Sequence, residues 1–134
     1  MLKEQERLDD LIKENLKIIQ NDEVFSFSTD ALLLAHFTKV RKNDSILDLC
    51  AGNGVIALLL AAKSHQKIES IEIQEQLADM AQRSFKYNQL EERLSMHNMD
   101  LKDVYQTFKP SQFTLITCNP VSYTHLRAHE TDSY

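Results

Sequence analysis

The stretch Ile46–Gly54 constrains the fold more than any other part of the sequence. Its residues, Ile-Leu-Asp-Leu-Cys-Ala-Gly-Asn-Gly, take an apolar run into an acid and then into small residues, and the apolar run Val55–Ala62 follows. This order is typical of a buried strand, a tight turn and a buried helix, which form the first half of a nucleotide-binding βαβ unit. Gly52 and Gly54 permit positive φ and let a ligand approach the backbone. The free amide groups at the start of the helix point at the same place.

Two classes of ligand compete for this turn. Gly52, Gly54 and Ala57 satisfy the dinucleotide fingerprint, and Glu72 lies at about the expected distance downstream. Asp48 favours the other class, because a carboxylate before the glycines repels a pyrophosphate and attracts an ammonium group. S-adenosylmethionine (SAM) has a cationic methionine end and an adenosine end, so it suits an acid at the first strand and another at the second. The residues therefore favour SAM over NAD.

The composition indicates a soluble protein of one domain, or a piece of one. The chain has 134 residues, of which 43% are hydrophobic and 26% charged, and no apolar run approaches the ~20 residues that span a bilayer. The charged amino terminus lacks the apolar region of a signal peptide.

Cys50 and Cys118 lie in apolar segments and are interpreted as reduced thiols of a cytoplasmic protein. We interpret Cys50 as a small residue packed by the cofactor and Cys118 as buried packing.

The net charge argues against a nucleic-acid surface within the chain. The formal charge is -5 at pH 7, whereas domains that bind nucleic acids are usually basic. A polynucleotide substrate therefore requires a basic surface elsewhere.

The amino-terminal residues allow two kinds of secondary structure. Apolar residues at helical spacing predict an amphipathic helix to about Asn15. Leu16–Gln20 and Val24–Phe27, on either side of an Asn-Asp turn, predict a hairpin of two short strands. Ser28–Asp30 then caps a predicted helix over Ala31–Phe37.

The rest of the chain alternates strands with helices, which predicts an α/β fold with a parallel sheet and right-handed crossovers. After the first strand and helix, the predicted elements are a strand at Ile68–Ile73, a helix from Gln76 to about Leu90, a strand at Leu94–His97, a helix at Leu101–Phe108 and a strand at Phe113–Cys118. A polar residue of interest stands at the carboxyl end of each strand: Asp48, Glu72, Asp100 and Asn119. Ligands of open α/β sheets bind at that edge, so the sequence predicts a site there.

Together these motifs resemble the Class I SAM-dependent methyltransferases, in particular those that methylate amino groups. Asp48–Gly54 is similar to the glycine motif of that family, with Cys50 where glycine is commoner. Glu72 matches the acid that holds the ribose hydroxyls, and Asp100 matches the acid near the adenine amino group of SAM. Asn119–Pro120 matches the start of the Asn-Pro-Pro-Tyr motif. The resemblance implies a Rossmann-like fold.

A narrower resemblance covers Phe25–Leu34, Leu47–Gly54 and Ile71–Gln74, which are similar to the bacterial tRNA adenine methyltransferases. Those enzymes modify the exocyclic amino group, N(6), of an adenine in the anticodon loop. The resemblance implies that the intact protein uses SAM as its cofactor and tRNA as its partner. It implies these cofactor-binding residues: Asp48, Cys50, Ala51, Gly52, Gly54, Glu72, Ile73, Asp100 and Leu101.

Asn119 and Pro120 are the implied catalytic residues, and their chemistry suits an amino acceptor. An adenine amino nitrogen is a poor nucleophile because its lone pair is delocalised into the ring. The amide oxygen of Asn119 and the carbonyl oxygen of Pro120 can accept its hydrogens and draw it toward a tetrahedral form. Neither a metal nor a strong base is required, and we expect no metal and no membrane partner. The alternative for this dipeptide is an ordinary strand-ending turn.

Other functions remain open on the sequence. The Asn-Pro-Pro-Tyr motif serves any planar amino group, so a protein glutamine amide and a DNA adenine are alternative acceptors. An NAD-dependent oxidoreductase is weakened by Asp48 and leaves Asn119–Pro120 unexplained. A non-catalytic binding module built on the SAM fold is a further alternative.

The family pattern stops after Pro120, because the next residues are not the second proline and the aromatic residue of the motif. Val121–Thr131 is identical to a translation of the transposase adapter used in sequencing libraries. We therefore interpret residues 121–134 as an artefactual tail and exclude them from fold reasoning. His125 and His129 of this tail are not interpreted as a metal site, in spite of their spacing.

Three segments follow from this interpretation. They are an amino-terminal extension with a capping helix over 1–40, a partial SAM-binding domain over 41–120 and the tail over 121–134. The family sheet has the strand order 3-2-1-4-5-7-6, and this chain would supply only its first four strands, in the order 3-2-1-4. The fourth strand would then be an open apolar edge. We expect the polypeptide alone to be unstable or to aggregate, with the activity residing in an intact parent.

Overall fold

The computed structural model describes residues 1–11, 15–24 and 27–119 of the chain. The strands and helices in these ranges are β1 (Arg7–Asp10), β2 (Lys17–Gln20), α1 (Thr29–Phe37), β3 (Ile46–Leu49), α2 (Val55–Ala61), β4 (Ile68–Glu72), α3 (Glu75–Tyr87), β5 (Leu94–Asn98), α4 (Val104–Thr107) and β6 (Leu115–Cys118). A 3-10 turn, Leu101–Asp103, precedes α4. The alternation of strands and helices from β3 onward confirms the predicted α/β fold.

The strands β3 to β6 form one parallel sheet in the order β5-β4-β3-β6. This is the predicted order 3-2-1-4, and the glycine turn leaves from an inner strand. The register places Asp48 of β3 beside Ser70 of β4 and Thr117 of β6. Because side chains alternate between the two faces of a strand, these three side chains share one face of the sheet.

Helices α1, α2 and α3 cover this face. Every residue of α2 is buried, as expected of a helix that is apolar on all sides. Ala81 and Phe85 of α3 belong to the same core cluster as Ile46 and Ile68 of the sheet. The site residues on this face therefore lie over a closely packed core.

The opposite face of β3 and β6 is less covered. Leu47, Leu49 and Ile116 line a cavity of about 300 Å³ together with residues around α4. Ile116 is 55% exposed, and β6 is one of the two edge strands of the described sheet, the other being β5. An apolar edge at the fourth strand was expected from the sequence, and the described residues contain one.

The amino-terminal region differs from the prediction. β1 and β2 pair as an antiparallel hairpin, so the helix predicted to about Asn15 is wrong over Arg7–Asp10. The strand predicted at Val24–Phe27 is wrong at Val24, which lies in a turn. Phe25 and Ser26 lie outside the described residues.

The cause is a long-range contact between β2 and α3. The amide of Ile19 donates to Oγ of Ser84 at 2.9 Å, and the amide of Lys17 donates to Oδ1 of Asn88 at 2.9 Å. Nδ2 of Asn88 donates in return to the carbonyl of Lys17 at 2.7 Å. Polar side chains of α3 thus satisfy backbone groups of β2, and Ile19 packs on Leu77.

A partly buried ion pair anchors the start of the chain to the same helix. Nη1 and Nη2 of Arg83 donate to the two carboxylate oxygens of Glu6 at 2.6 and 2.7 Å, and Nε donates to Asp79 at 2.9 Å. The bond from Arg83 lowers the pKa of Glu6. A bidentate pair of this kind fixes direction as well as distance, so the hairpin has a defined position on α3.

Candidate active site

Asp48, near the carboxyl end of β3, is fully buried and only half satisfied. Its Oδ1 accepts a hydrogen bond from Oγ1 of Thr117 at 2.7 Å, whereas its Oδ2 is buried and has no hydrogen-bond partner. Burial raises the pKa of Asp48 to about 7, the Thr117 hydroxyl lowers it, and the charge of Glu72 raises it. A buried carboxylate with one free oxygen is costly, and a cation placed beside it would relieve that cost.

Glu72, at the end of β4, is equally buried but is bound by the backbone on both oxygens. Oε1 accepts from the amide of Gly52 at 2.7 Å, and Oε2 accepts from the amide of Gln74 at 2.9 Å. The Glu72 side chain therefore ties the glycine turn to the end of the neighbouring strand. The sequence placed this acid at the site and did not anticipate its bond to the turn.

The turn after β3 has positive φ at Cys50 (54°), Gly52 (58°) and Gly54 (89°). Left-handed backbone is uncommon for a residue with a side chain, so Cys50 stands in a strained conformation. A β-carbon on Gly54 would lie 2.8 Å from Cε1 of Phe85. The packing of α3 against the turn therefore requires glycine at this position, independently of any ligand.

Asn53 is a member of this turn that the sequence analysis did not select. It is fully buried, and its Nδ2 donates to the carbonyl of Ile19 in β2 at 3.0 Å. Its Oδ1 is buried without a hydrogen-bond partner. No sequence pattern marks this contact, because it depends on where the amino-terminal hairpin docks.

The third acid, Asp100, follows β5 and begins the 3-10 turn, where its Oδ1 accepts from the amide of Lys102 at 3.1 Å. Ile73 and Leu101 stand beside the ends of β4 and β5 with exposed fractions of 48% and 42%. Asn98 joins these strand ends, because its Nδ2 donates to the carbonyl of Ile73 at 3.0 Å. Two apolar side chains thus lie open to solvent near an acid.

One of the two cysteines, Cys118, is more exposed than predicted. Cys118 is exposed and Cys50 is partly buried, so the interpretation of Cys118 as buried packing is wrong. β6 is an edge strand of the described sheet, so Cys118 lacks a neighbouring strand on one side. Burial, with smaller effects from Cys118, raises the pKa of Cys50 to about 12. A thiol with such a pKa is a poor nucleophile.

The structure brings the predicted residues of β3 and β4 into direct contact. Gly52 binds Glu72, and the amide of Ala51 donates to the carbonyl of Ile71 at 2.9 Å. Asn119 is partly buried and directly follows β6, whose Cys118 pairs with Leu49 in the register. Pro120, the other predicted catalytic residue, lies outside the described residues, as does the tail over 121–134.

Two negative findings apply to the described ranges 1–11, 15–24 and 27–119. No group of three or more His, Cys, Asp or Glu side chains there could hold a metal ion. No helix there is long and apolar enough to cross a membrane.

Comparison with protein families gives a match over most of the chain. The profile of the family described as methyltransferase small domain matches residues 15–131.

Curated relatives also match a large part of the chain. The tRNA1(Val) (adenine(37)-N6)-methyltransferase of Cytophaga hutchinsonii is 36% identical over 76 residues, which are 57% of this chain and 32% of that protein. The protein of the same name from Flavobacterium psychrophilum is 32% identical over 112 residues, which are 82% of this chain and 47% of that protein. The match thus spans less than half of each relative.

Solved structures with the same fold include methyltransferases. The tRNA (uracil-54, C5)-methyltransferase of Pyrococcus abyssi, in complex with S-adenosyl-L-homocysteine, matches with a TM-score of 0.62 and 12% identity, over 86% of this chain and 28% of that one. A SAM-dependent methyltransferase from Thiobacillus denitrificans matches with a TM-score of 0.56 and 13% identity, over 72% and 38% of the two chains. These likenesses confirm the Rossmann-like fold.

Proposed function

Because the chain belongs to the methyltransferase small domain family, we propose that it forms the SAM-binding part of a cytoplasmic enzyme that methylates an adenine in tRNA. The acceptor would be the exocyclic amino group, N(6), of that adenine. The single observation that carries the choice of cofactor is the buried Oδ2 of Asp48, which no donor of the described residues reaches.

The methionine end of SAM carries an ammonium group, and Asp48 is suited to attract it. A buried carboxylate exerts a stronger field than an exposed one because little solvent screens it. The ammonium group would lie at the turn Cys50–Gly54, which has positive φ at Cys50, Gly52 and Gly54. A pyrophosphate at the same turn would be repelled, which disfavours NAD.

The adenosine end of SAM suits the residues at the ends of β4 and β5. A carboxylate oxygen has lone pairs beyond the one used by a backbone amide, so Glu72 can accept from ribose hydroxyls as well as from Gly52 and Gln74. Ile73 and Leu101 offer exposed apolar surface for the adenine ring. Asp100 supplies an acceptor for the adenine amino group.

The adenine that accepts the methyl group would bind at Asn119, which directly follows β6. SAM, when bound, supplies the methyl group as an electrophilic sulfonium. The amide oxygen of Asn119 would accept a hydrogen of the adenine amino group, and the carbonyl of Pro120 would accept the other. Holding both hydrogens orients the nitrogen lone pair, so these residues act by position and hydrogen bonding rather than as bases.

The choice of tRNA as substrate rests on the relatives, which are named as tRNA1(Val) adenine methyltransferases. The chain itself has a net charge of -5, so it is unsuited to hold a polyanion on its own. We propose that the RNA-binding surface belongs to a longer protein, in which the sequence up to Pro120 continues into a carboxyl-terminal half. In that view the tail over 121–134 is foreign and the chain is truncated.

The test uses two proteins. One is the 134-residue chain, and the other, called the extended chain here, continues from Pro120 into the carboxyl-terminal part of the Flavobacterium psychrophilum relative. Calorimetry of the extended chain with SAM and with NADH decides the cofactor, and we expect binding of SAM only. The 134-residue chain is the comparison, and we expect it to be unstable or to aggregate. Transfer of a tritiated methyl group to total tRNA, to duplex DNA and to protein extract decides the acceptor, and we expect transfer to tRNA by the extended chain.

A matched variant separates binding from catalysis. Asn119→Ala in the extended chain is expected to abolish methyl transfer while SAM affinity remains within about twofold, since Asn119 contacts only the acceptor. Binding of NADH in place of SAM would overturn the proposal, and so would methylation of DNA or protein in preference to tRNA. Loss of SAM binding in Asn119→Ala, with normal turnover of the enzyme that still binds, would refute the role of Asn119.

A further inference from the structure

A row of polar side chains crosses the sheet next to the glycine turn. Ser70, Asp48 and Thr117 are register partners on adjacent strands, and all three are buried. Thr117, which is 4% exposed, donates its hydroxyl hydrogen to Oδ1 of Asp48 over 2.7 Å. Oδ2 of Asp48 and Oγ of Ser70 have no hydrogen-bond partner. The carboxylate is therefore held from one side only.

The hydrogen bond from Thr117 determines which oxygen of the Asp48 carboxylate has no hydrogen-bond donor. A threonine hydroxyl has one hydrogen to donate, and an ionised carboxylate only accepts. Thr117 thus fixes the carboxylate through Oδ1 and leaves Oδ2 for a donor from outside the protein. The side chain of threonine is β-branched and has a stiff χ1, so the hydroxyl stays in place.

We propose that Thr117 is a positioning residue that keeps the Asp48 carboxylate oriented and ionised for the ammonium group of the cofactor. The inference rests on the proposed function and assigns a role to a residue outside the set that the sequence selected. Because Asn119 follows Thr117 on the same strand, β6 would position both the acid for the cofactor and the amide for the acceptor. The cofactor site and the acceptor site would then both depend on the position of β6.

The charge on Asp48 depends on the groups around it. Burial raises the pKa of Asp48, the Thr117 hydroxyl lowers it, and Glu72 raises it. Cys50 and Cys118 are the other titratable groups near this place, and the pKa of Cys50, about 12, keeps that thiol neutral. Helix α2, which packs over this face, carries no charged residue. Loss of the Thr117 hydroxyl therefore leaves Asp48 protonated to a higher pH, where it no longer attracts a cation.

Three variants test the role of the hydroxyl. Thr117→Val keeps the branched shape and removes the hydroxyl, Thr117→Ser keeps the hydroxyl, and Ser70→Ala removes a buried hydroxyl that makes no hydrogen bond. Each is titrated with SAM and with 5′-methylthioadenosine, which lacks the ammonium group. The titrations use the extended chain, and thermal melts establish first that each variant is folded.

We expect Thr117→Val to bind SAM about fivefold more weakly at pH 7, because a rise of about one unit in the pKa of Asp48 would lower its ionised fraction from about a half to about a tenth. The deficit should shrink to about twofold at pH 8, where Asp48 is largely ionised in the wild type and about half ionised in the variant. Thr117→Ser and Ser70→Ala should bind SAM like the wild type. All variants should bind 5′-methylthioadenosine equally well.

Two results would overturn the inference while the proposed function stands. One is a wild-type SAM affinity in Thr117→Val at every pH, and the other is an equal loss of SAM and 5′-methylthioadenosine. If Thr117→Val does not fold, Thr117→Ala removes the same hydroxyl and the same criteria apply. If the wild-type proteins bind NADH and not SAM, the proposed function fails and the inference fails with it.

Discussion

The ends of β3 and β4 carry the same kind of residue in opposite states. Asp48 and Glu72 are both fully buried carboxylates on adjacent parallel strands. Glu72 receives backbone amides on both oxygens, whereas Asp48 receives a single side-chain hydroxyl and keeps one oxygen without a partner. Burial and position therefore do not by themselves determine what a carboxylate binds, because the hydrogen-bond donors around it also decide which of its oxygens are occupied.

This difference separates the two acids by what they contribute to the fold. Glu72 ties the glycine turn to the end of β4, so its negative charge is stabilised by backbone amides of the protein itself. Oδ2 of Asp48 has no hydrogen-bond donor, so the ionised form of this acid is costly in the folded state and would attract a cation.

Glu72→Gln should lower the free energy of unfolding by about 3 kcal/mol, the upper range for a hydrogen bond to a charged group. A glutamine amide can accept only one of the two backbone hydrogens, and its NH₂ group would face the other donor. Urea denaturation measures the change, and Asp48→Asn is the matched control. An equal loss in both variants would show that the two acids do not differ as described.

Asp48→Asn should weaken SAM binding by about 2 kcal/mol, or roughly 30-fold, a typical value for a charge-assisted contact. The folded state should be retained, because an asparagine oxygen still accepts from Thr117 and the buried charge is gone. Calorimetry gives the affinity and a thermal melt gives the stability. A variant that keeps its SAM affinity would remove Asp48 from the site.

The contribution of Asp48 to the stability of the folded protein should fall as the pH rises from about 4 to about 7. In this interval folded Asp48, with its pKa of about 7 against an ordinary value of 3.8, keeps a proton that the unfolded chain has released. The stability that neutral Asp48 contributes is therefore fully present below about pH 4 and is lost as the pH rises through the pKa of Asp48 in the folded protein. The slope is at most about 1.4 kcal/mol per pH unit.

The contribution of Asp48 to this slope is isolated by subtraction. The pKa of Glu6 and that of Asp79 are lowered, so these acids lose stability as the pH falls and act in the opposite direction. They are present in both the wild type and Asp48→Asn, so the difference between the two denaturation series reports Asp48 alone. A pH-independent difference would contradict the raised pKa.

Asn53→Ala should have the smallest effect, a loss of about 1 kcal/mol in unfolding free energy. The variant leaves the carbonyl of Ile19 without its donor and also removes the unpartnered Oδ1, so the two changes partly cancel. The same variant should weaken SAM binding only slightly, since Asn53 stabilises the turn from the side of the hairpin. Urea denaturation and calorimetry check both values, with Ser70→Ala as a control for deletion of a buried polar group. A larger loss of affinity than of stability would place Asn53 in contact with the ligand.

Periodicity and motif spacing were sufficient for the sheet and for the positions of Asp48 and Glu72 in it. The apolar runs of β3 and α2 and the alternation of β4 have one consistent interpretation, and the placement of Asp48 and Glu72 at strand ends follows from it. These elements are local, because each pattern lies within one segment. The strand order then follows from the general rules for parallel sheets.

Other features depend on contacts between distant segments, and the sequence could not predict them. The hairpin of β1 and β2 was missed because residues near Leu8 fit both a helix and a strand, and the docking of β2 on Ser84 and Asn88 decides between them. The partners Thr117 and Asn53 were missed for the same reason. The contact of Thr117 depends on the register between β3 and β6, and the contact of Asn53 depends on where the hairpin docks.

The close approach of Gly54 to Phe85 is one of several constraints on the residue at position 54. A β-carbon at position 54 would lie 2.8 Å from Cε1 of Phe85 and 3.1 Å from Cβ of Ala81, and the backbone there has φ of 89°. A smaller residue in place of Phe85 would remove only the first of these obstacles, so libraries that randomise this turn should return glycine at position 54 even when position 85 varies with it.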